Sequence, residues 1–257
     1  MVQTAKNILM DSRFKFGLIG KNISYSFSKK YFTDKFQKLG LNTYKYNNYD
    51  IPEIEEFPFI IYQQEEKFQG FSVTIPYKQS IIKYLDEVEE DAQKIGAVNT
   101  IKITDDNRLI GYNTDVYGFE KSIEPLLQKH HNKALILGTG GVSKAIAYVL
   151  EKLKINFKFV SRNISENSLG YPILDQNILN EYTVIINCTP VGTYPDIDNS
   201  PNIPYEFITD KHLLFDLIYN PSETKFLQEG RKRGAIIKNG HEMLELQAEK
   251  SWEIWNS

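Results

Sequence analysis

ALILGTGGVSKAIAYVLEKL, residues Ala134 to Leu153, reads as a buried strand, a tight loop and a helix. Four apolar residues run into Gly138-Thr139-Gly140-Gly141, and the helix follows directly. Glycine lets such a loop turn sharply and lets backbone N–H groups approach a pyrophosphate at the positive helix end. Ser143 stands at the third position of the strict fingerprint, where glycine or alanine is usual, so a plain strand–helix turn without ligand stays open. Further apolar strands follow at Phe157 to Val160, Thr183 to Cys188, Leu213 to Tyr219 and Ala235 to Lys238. Their alternation with helices predicts a Rossmann-like, doubly wound parallel sheet over residues 114–240.

The end of the second strand in this unit bears on the ligand. A site for NAD usually places an acidic residue about 20 positions after the glycine loop, where it binds the ribose 2′-hydroxyl. Here Val160 is followed by Ser161-Arg162-Asn163, with no carboxylate among them. An arginine suits a 2′-phosphate through charge-assisted, bidentate bonds, which favours NADP. Arg162 as a solvated loop residue is the plainer alternative.

Upstream, residues 1–113 have the pattern of a separate open α/β domain. FKFGLIG (Phe14 to Gly20) predicts a buried strand. Tyr31, Phe32, Phe36 and Leu39 then mark a helix closed by Gly40. A strand at Thr43 to Tyr49, a helix after Pro52 and a strand at Gly70 to Ile75 complete a β-α-β-α-β order. A helix through Ser80 to Asp91 leads to strands at Ala97 to Thr104 and Arg108 to Asn113, joined at an Asp105-Asp106-Asn107 turn. A helix is expected from Asp115 to about Lys129. The last segment, 241–257, reads as a closing helix that packs back on the first domain.

Composition narrows the partners. The 257 residues carry a formal charge of −3, against the basic excess of a nucleic-acid surface. The one dense basic run, Arg231-Lys232-Arg233, ends a predicted helix, where cations meet the carbonyl end of the dipole. The single cysteine, Cys188, allows no internal disulfide, fits a reducing cytoplasm and reads as a small core residue. No stretch approaches the ~20 apolar residues of a membrane span, the N-terminus has no signal-like apolar run, and residues 1 to 13 look like a polar extension. The four histidines show no metal-ligand spacing, so no metal is expected.

Two short motifs stand out before the glycine loop: FSVTIPYK, ending at Lys78, and GYNTD, ending at Asp115. A lysine and an aspartate brought from separate loops to one cleft beside a dinucleotide would form a proton-handling pair for hydride transfer. Taken singly, Lys78 reads as a solvated lysine at a helix start and Asp115 as an N-cap. Ser26 and Ser28 flank Phe27 and would face the same way in an extended segment, ready for one small anion. Serines before a helix are more often caps.

Together these motifs resemble the shikimate dehydrogenase family from about Phe16 to Trp252. GLIGKNISYSFSKKYF is similar to the family's opening motif, which implies that Ser26 and Ser28 grip the substrate carboxylate. FSVTIPYK resembles its N-V-T-x-P-x-K motif and implies Thr74 as a substrate contact and Lys78 as the catalytic lysine. IGAVNT and GYNTD imply Asn99 and Asp115 as ligands of substrate hydroxyls. GTGGVSKA and SRN resemble the cofactor loops, which implies contacts from Gly138, Thr139, Gly140, Gly141, Val142, Ser161, Arg162 and Asn163. NCTPVG (Asn187 to Gly192) and DLIYNPSET (Asp216 to Thr224) follow in the family's order. They imply Thr189 and Leu217 beside the cofactor and Tyr219 beside the substrate. Gly240 matches a nicotinamide-side contact, and Gln247 a substrate ligand on the closing helix. The chain departs at Ser72, where asparagine is usual, at Lys29, at Thr193 and at His241-Glu242.

The resemblance implies an NADP-dependent enzyme that reduces 3-dehydroshikimate to shikimate in aromatic amino acid biosynthesis. It would be cytoplasmic, with a small-molecule substrate and no nucleic-acid or membrane partner, as a monomer or homodimer. A carboxylate at Asp115 would favour the charged form of Lys78, which then donates a proton as hydride reaches the carbonyl carbon. Rival readings are an enzyme of the same superfamily acting on quinate or an aminoshikimate, and a catalytically silent nucleotide-binding regulator.

Overall fold

The structure, a computed structural model, describes residues 14–24, 26–62, 68–163 and 168–257. The expected polar extension at 1 to 13 lies outside the described residues. The chain divides into two compact units, at Thr114/Asp115 and again at Lys250/Ser251. The second division falls inside the terminal helix, so His241 to Lys250 group with the second unit and only Ser251–Ser257 with the first.

The first unit is built on a mixed six-stranded sheet. Its strands are β1 (Phe14–Gly20), β2 (Tyr44–Asp50), β3 (Phe68–Val73), β4 (Glu87–Val88), β5 (Thr100–Ile103) and β6 (Leu109–Tyr112), in the order β2-β1-β3-β5-β6-β4. β1 pairs in parallel with β2 and β3, while β5 pairs antiparallel with β3 and β6. The Asp105-to-Asn107 turn closes the β5–β6 hairpin with Asn107 at φ 64. Side chains alternate across β1, so the sheet buries apolar residues on both faces. On one face, Phe16 meets Phe32 and Phe36 of helix α1 (Phe27–Lys38) through a ring cluster that includes Trp252 and Trp255. The Trp255 indole donates to Ile101 O at 2.9 Å, satisfying its buried N–H. On the other face, Ile19, Phe71 and Val73 pack with Phe57, Ile81 and Val98.

The single helix expected through Ser80 to Asp91 is three shorter pieces. A 3-10 turn at Ser80–Tyr84 gives way to β4, and α3 (Glu90–Ile95) follows α2 (Phe57–Tyr62) in chain order. The break has a local cause. Asp86 exchanges backbone and side-chain bonds with Leu109, and the Glu89 carboxylate accepts from Asp91 N and Ala92 N, starting a new helix. Likewise α4 (Asp115–Ile123) stops short of Lys129, because Pro125 has no N–H to continue the ladder.

The second unit holds the expected parallel sheet. Strands β7 (Lys133–Leu137), β8 (Asn156–Val160), β9 (Ser168–Leu169), β10 (Val184–Asn187), β11 (Leu213–Asp216) and β12 (Ile236–Lys238) lie in the order β12-β11-β10-β7-β8-β9, every pair parallel. Strand order reverses between β7 and β10, the switch point where ligands bind in such sheets. Helices α5 (Gly141–Lys152), α6 (Gln176–Glu181), α7 (Lys225–Lys232) and α8 (His241–Trp255) complete the element order. β9 and α6 have no counterpart in the sequence reading. The first is two residues long, and the second starts at an isolated Asp175 cap.

Candidate active site

In the first unit the predicted residues cluster at the C-terminal ends of β1 and β3. Thr74 N–H donates to Ile19 O at 2.9 Å, and Lys21 N–H to Ile75 O at 3.2 Å, tying the loops after the two strands together. The loop continues through Tyr77, whose hydroxyl donates to Ile51 O at 2.7 Å, to a half-buried Lys78. Lys78 O accepts from Val98 N at 2.7 Å, one residue before Asn99. Thr74, Lys78 and Asn99 are therefore held by one backbone network. Ser26 does cap α1, its hydroxyl accepting from Lys29 N at 3.4 Å, and Ser28 sits half-buried in the first turn.

Asn99 is 3% exposed, and its carbonyl oxygen is fully engaged. Asn99 Oδ1 accepts from Thr114 N at 2.7 Å, Thr100 Oγ1 at 3.1 Å and Thr114 Oγ1 at 3.2 Å. The Thr100 and Thr114 hydroxyls both meet Ser251 Oγ, at 2.7 and 3.1 Å. This arrangement commits the amide oxygen to the protein and fixes the orientation of the Asn99 amide. Sequence reasoning missed this buried hydroxyl cluster. Thr100 and Thr114 border the recognised motifs, but nothing local points to Ser251.

In the second unit Asp115 opens α4 and is buried. Gly118, one turn on, lets α8 approach closely, since a Cβ there would lie 2.5 Å from Met243 O and 3.1 Å from Gln247 Cβ. Asp115 and Gln247 thus belong to adjoining helices. Gln247 Nε2 donates to Leu244 O at 3.0 Å.

The predicted cofactor residues follow the last residues of β7, β8, β10 and β11, which lie in register. Gly138 N donates to Val160 O at 2.8 Å, Cys188 N to Leu137 O at 2.9 Å and Leu217 N to Asn187 O at 3.0 Å. Gly138, Ser161, Thr189 and Leu217 are so brought to one edge of the sheet. Gly138 has φ +100, which a side chain would oppose. Added Cβ atoms at Gly140 and Gly141 would meet nothing within 4 Å, and no side chain caps α5. The helix N-terminus is thus open to an anion, and the loop fits a pyrophosphate. Val142 follows in its first turn. Gly240 N donates to Ile218 O at 3.1 Å, and a Cβ added at Gly240 would collide with Leu217 O, so the glycine sits against the Leu217 backbone.

Asp216 is a second feature the sequence reading missed. Fully buried, it accepts from Thr224 Oγ1 at 2.5 Å, Asn187 Nδ2 at 3.0 Å and Ile218 N at 3.1 Å. Asn187 Oδ1 in turn accepts from Thr189 N at 3.0 Å and Thr189 Oγ1 at 2.6 Å. One carboxyl therefore couples the Thr189 loop to the Leu217–Tyr219 loop. Burial, opposed by these donors, pushes Asp216 up to about 6. An unfolded aspartate titrates near ~3.9, so between about pH 4 and 6 the folded chain holds a proton that the unfolded chain has lost. Raising pH through that window lowers stability. Asp216→Asn stays neutral and lacks this slope. Chemical unfolding across the window is expected to show the variant gaining on wild type as pH rises, and parallel profiles would count against it.

Burial and the Asp216 charge push the Cys188 thiol up, away from the thiolate a nucleophile needs. His131 and His212 are lowered mainly by burial and tied to backbone at Gln128, Lys211, Leu179 and Thr209. Among the described residues no group of three or more His, Cys, Asp or Glu could hold a metal, and no helix is long and apolar enough to cross a membrane.

A parallel doubly wound unit with a glycine loop, joined to a mixed-sheet unit bearing Lys78 and an oriented Asn99, defines a two-domain α/β enzyme of the Rossmann class. Residues 18–101 match the shikimate dehydrogenase substrate binding domain. The chain is 41% identical to a shikimate dehydrogenase (NADP(+)) of Methanococcus maripaludis strain C6, covering 96% of this chain and 93% of that one. The chain belongs to the shikimate dehydrogenase family. A relative of the same name from Clostridium botulinum strain Hall is 38% identical, over 93% of this chain and 95% of its own. Among solved structures, a shikimate dehydrogenase in complex with NADP+ superposes with TM-score 0.82 at 35% identity, covering 94% of this chain and 89% of that one. Another, from Thermus thermophilus with NADP(H) and shikimate, has TM-score 0.82 at 28% identity and covers 94% and 93%.

Proposed function

We propose that this chain is an NADP-dependent shikimate dehydrogenase, catalysing the reversible reduction of the 3-dehydroshikimate ring ketone to the alcohol of shikimate. The observation that supports the reading is the joint Thr74–Lys78–Asn99 backbone network, which ties together the loops that carry a lysine and an asparagine. The setting is aromatic amino acid biosynthesis in the cytoplasm, and the enzyme works as a monomer or homodimer. The unit Asp115–Lys250 takes the cofactor, and the other unit takes most of the substrate.

NADPH, when bound, supplies the hydride. Gly138 to Val142 hold the pyrophosphate, Ser161, Arg162 and Asn163 the 2′-phosphate, and Thr189, Leu217 and Gly240 the nicotinamide side. As negative charge grows on the ketone oxygen, the Lys78 ammonium gives up a proton to it. Ser26 and Ser28 donate to the ring carboxylate. Thr74 and Asn99 are the first unit's contacts to the ring hydroxyls, and Asp115, Tyr219 and Gln247 are the second unit's contributions to substrate binding. Steady-state assays with shikimate and NADP, repeated with quinate and NAD, test the assignment. Turnover of quinate above shikimate would replace it, and no turnover of either would favour the silent regulator.

Ser28 offers the cleaner test of the anchor, because Ser26→Ala would also remove a helix cap. Ser28→Ala is expected to raise KM for shikimate about tenfold, the worth of one weak charge-assisted bond. Because the contact exists in ground and transition states alike, kcat should hold. Unchanged KM would remove Ser28 from the carboxylate site.

A further inference from the structure

The mechanism leaves the buried phenol of Tyr46 unused. Register pairs Tyr46 with Phe16 and Ser72 with Leu18, and residues two apart on β1 point to one side, so Tyr46 and Ser72 share a sheet face. Helix α1 covers that face, its Phe32 ring stacked on Tyr46 at 4.7 Å and 16°. Ser28 lies four residues before Phe32, on the same stripe of the helix. The Tyr46 ring is therefore followed, toward the C-terminal strand ends, by two hydroxyls, one on α1 and one on β3. Tyr46 is 3% exposed, yet its hydroxyl has no well-formed hydrogen bond among the described residues. Burial raises the phenol's pKa, and the Ser72 and Ser28 hydroxyls oppose the rise, placing both beside it. A buried donor left without an acceptor is costly, and phenylalanine would fill the same space without that cost.

We propose that Tyr46 is a positioning residue for Ser28: its phenol donates to Ser28 Oγ and so turns the serine proton toward the substrate carboxylate. The proposal rests on the reading that Ser28 holds that carboxylate. A serine hydroxyl has one proton and two lone pairs. A donor behind it occupies a lone pair, leaves the proton for the anion and polarises the O–H toward it. The phenol oxygen is sealed from solvent, so it acts through Ser28 and does not touch the ligand. A small movement of Ser28 toward the anion brings its Oγ into line with the phenol.

Tyr46→Phe, Ser28→Ala and the double variant, measured in the full chain, test this. Tyr46→Phe should raise KM for shikimate roughly two- to tenfold, the worth of one ordinary hydrogen bond, with kcat and the NADP dissociation constant unchanged. Its ligand-free melting temperature should equal or exceed wild type, a sign opposite to the loss in KM. In the Ser28→Ala background the same change should leave KM where it is. Wild-type KM in Tyr46→Phe, while Ser28→Ala raises it, overturns the positioning role. Additive effects do so too, and so does a lowered ligand-free melting temperature, which would mean the phenol is already bonded, to Ser72. Wild-type KM in Ser28→Ala instead overturns the carboxylate reading itself.

Discussion

Lys78→Ala is expected to lower kcat roughly 10²–10⁴-fold, the usual worth of a positioned general acid. The fold should survive, because what holds this loop is backbone: Lys78 O accepts from Val98 N, and Tyr77 is tied through Thr74 and Ile51. An unchanged melting temperature would verify that the loss is chemical. Substrate affinity should fall less than kcat, since Ser28, Thr74 and Asn99 are carried by the same unit and remain. Lys78→Arg separates charge from proton transfer. It keeps the cation, but guanidinium does not release a proton at physiological pH, so the rate should stay low. Near wild-type kcat in Lys78→Ala, or full recovery in Lys78→Arg, would remove Lys78 from the proton-donor role.

The parallel unit was legible because its signals are local. A buried strand, glycine loop and helix recur within 20 residues, from Ala134 to Leu153, and each later strand is an apolar run. Boundaries that depend on partners distant in sequence leave no such local mark. Asp86 leaves a helical pattern for Leu109, and the two residues of β9 are strand only because β8 lies beside them. The same division holds at the candidate site. Lys78 and Asn99 stand in short motifs that can be read directly. Ser251, which meets Thr100 across 151 positions, carries no local sign of its role. Asp216 sits in a quoted motif, but its part as the junction of Asn187, Ile218 and Thr224 needs the register of β10 against β11.

Arg162→Ala is expected to weaken NADP strongly and NAD little. The two cofactors differ by one phosphate on the adenosine ribose, so discrimination must arise where the chain leaves β8. That turn is anchored from both sides. Ser161 N–H donates to Leu169 O at 2.9 Å, and Asn163 N–H to Ser161 Oγ at 3.2 Å. Between these fixed points Arg162 is exposed, its charge felt by Tyr171 on the far side of the loop. Ser161, Arg162 and Asn163 can all donate to phosphate oxygens, and none of the three is an acid that would repel them. One charge-assisted bond is worth about 1.5–3 kcal/mol, which converts to a preference of roughly ten- to a hundredfold carried by Arg162. Because the guanidinium is exposed, added salt should narrow the wild-type gap, and it should leave the alanine variant nearly unmoved. Arg162→Lys should recover part of the preference, keeping the charge while losing the two-pronged geometry. Wild-type kcat/KM as high with NAD as with NADP would end this reading, and so would an alanine variant that kept its discrimination.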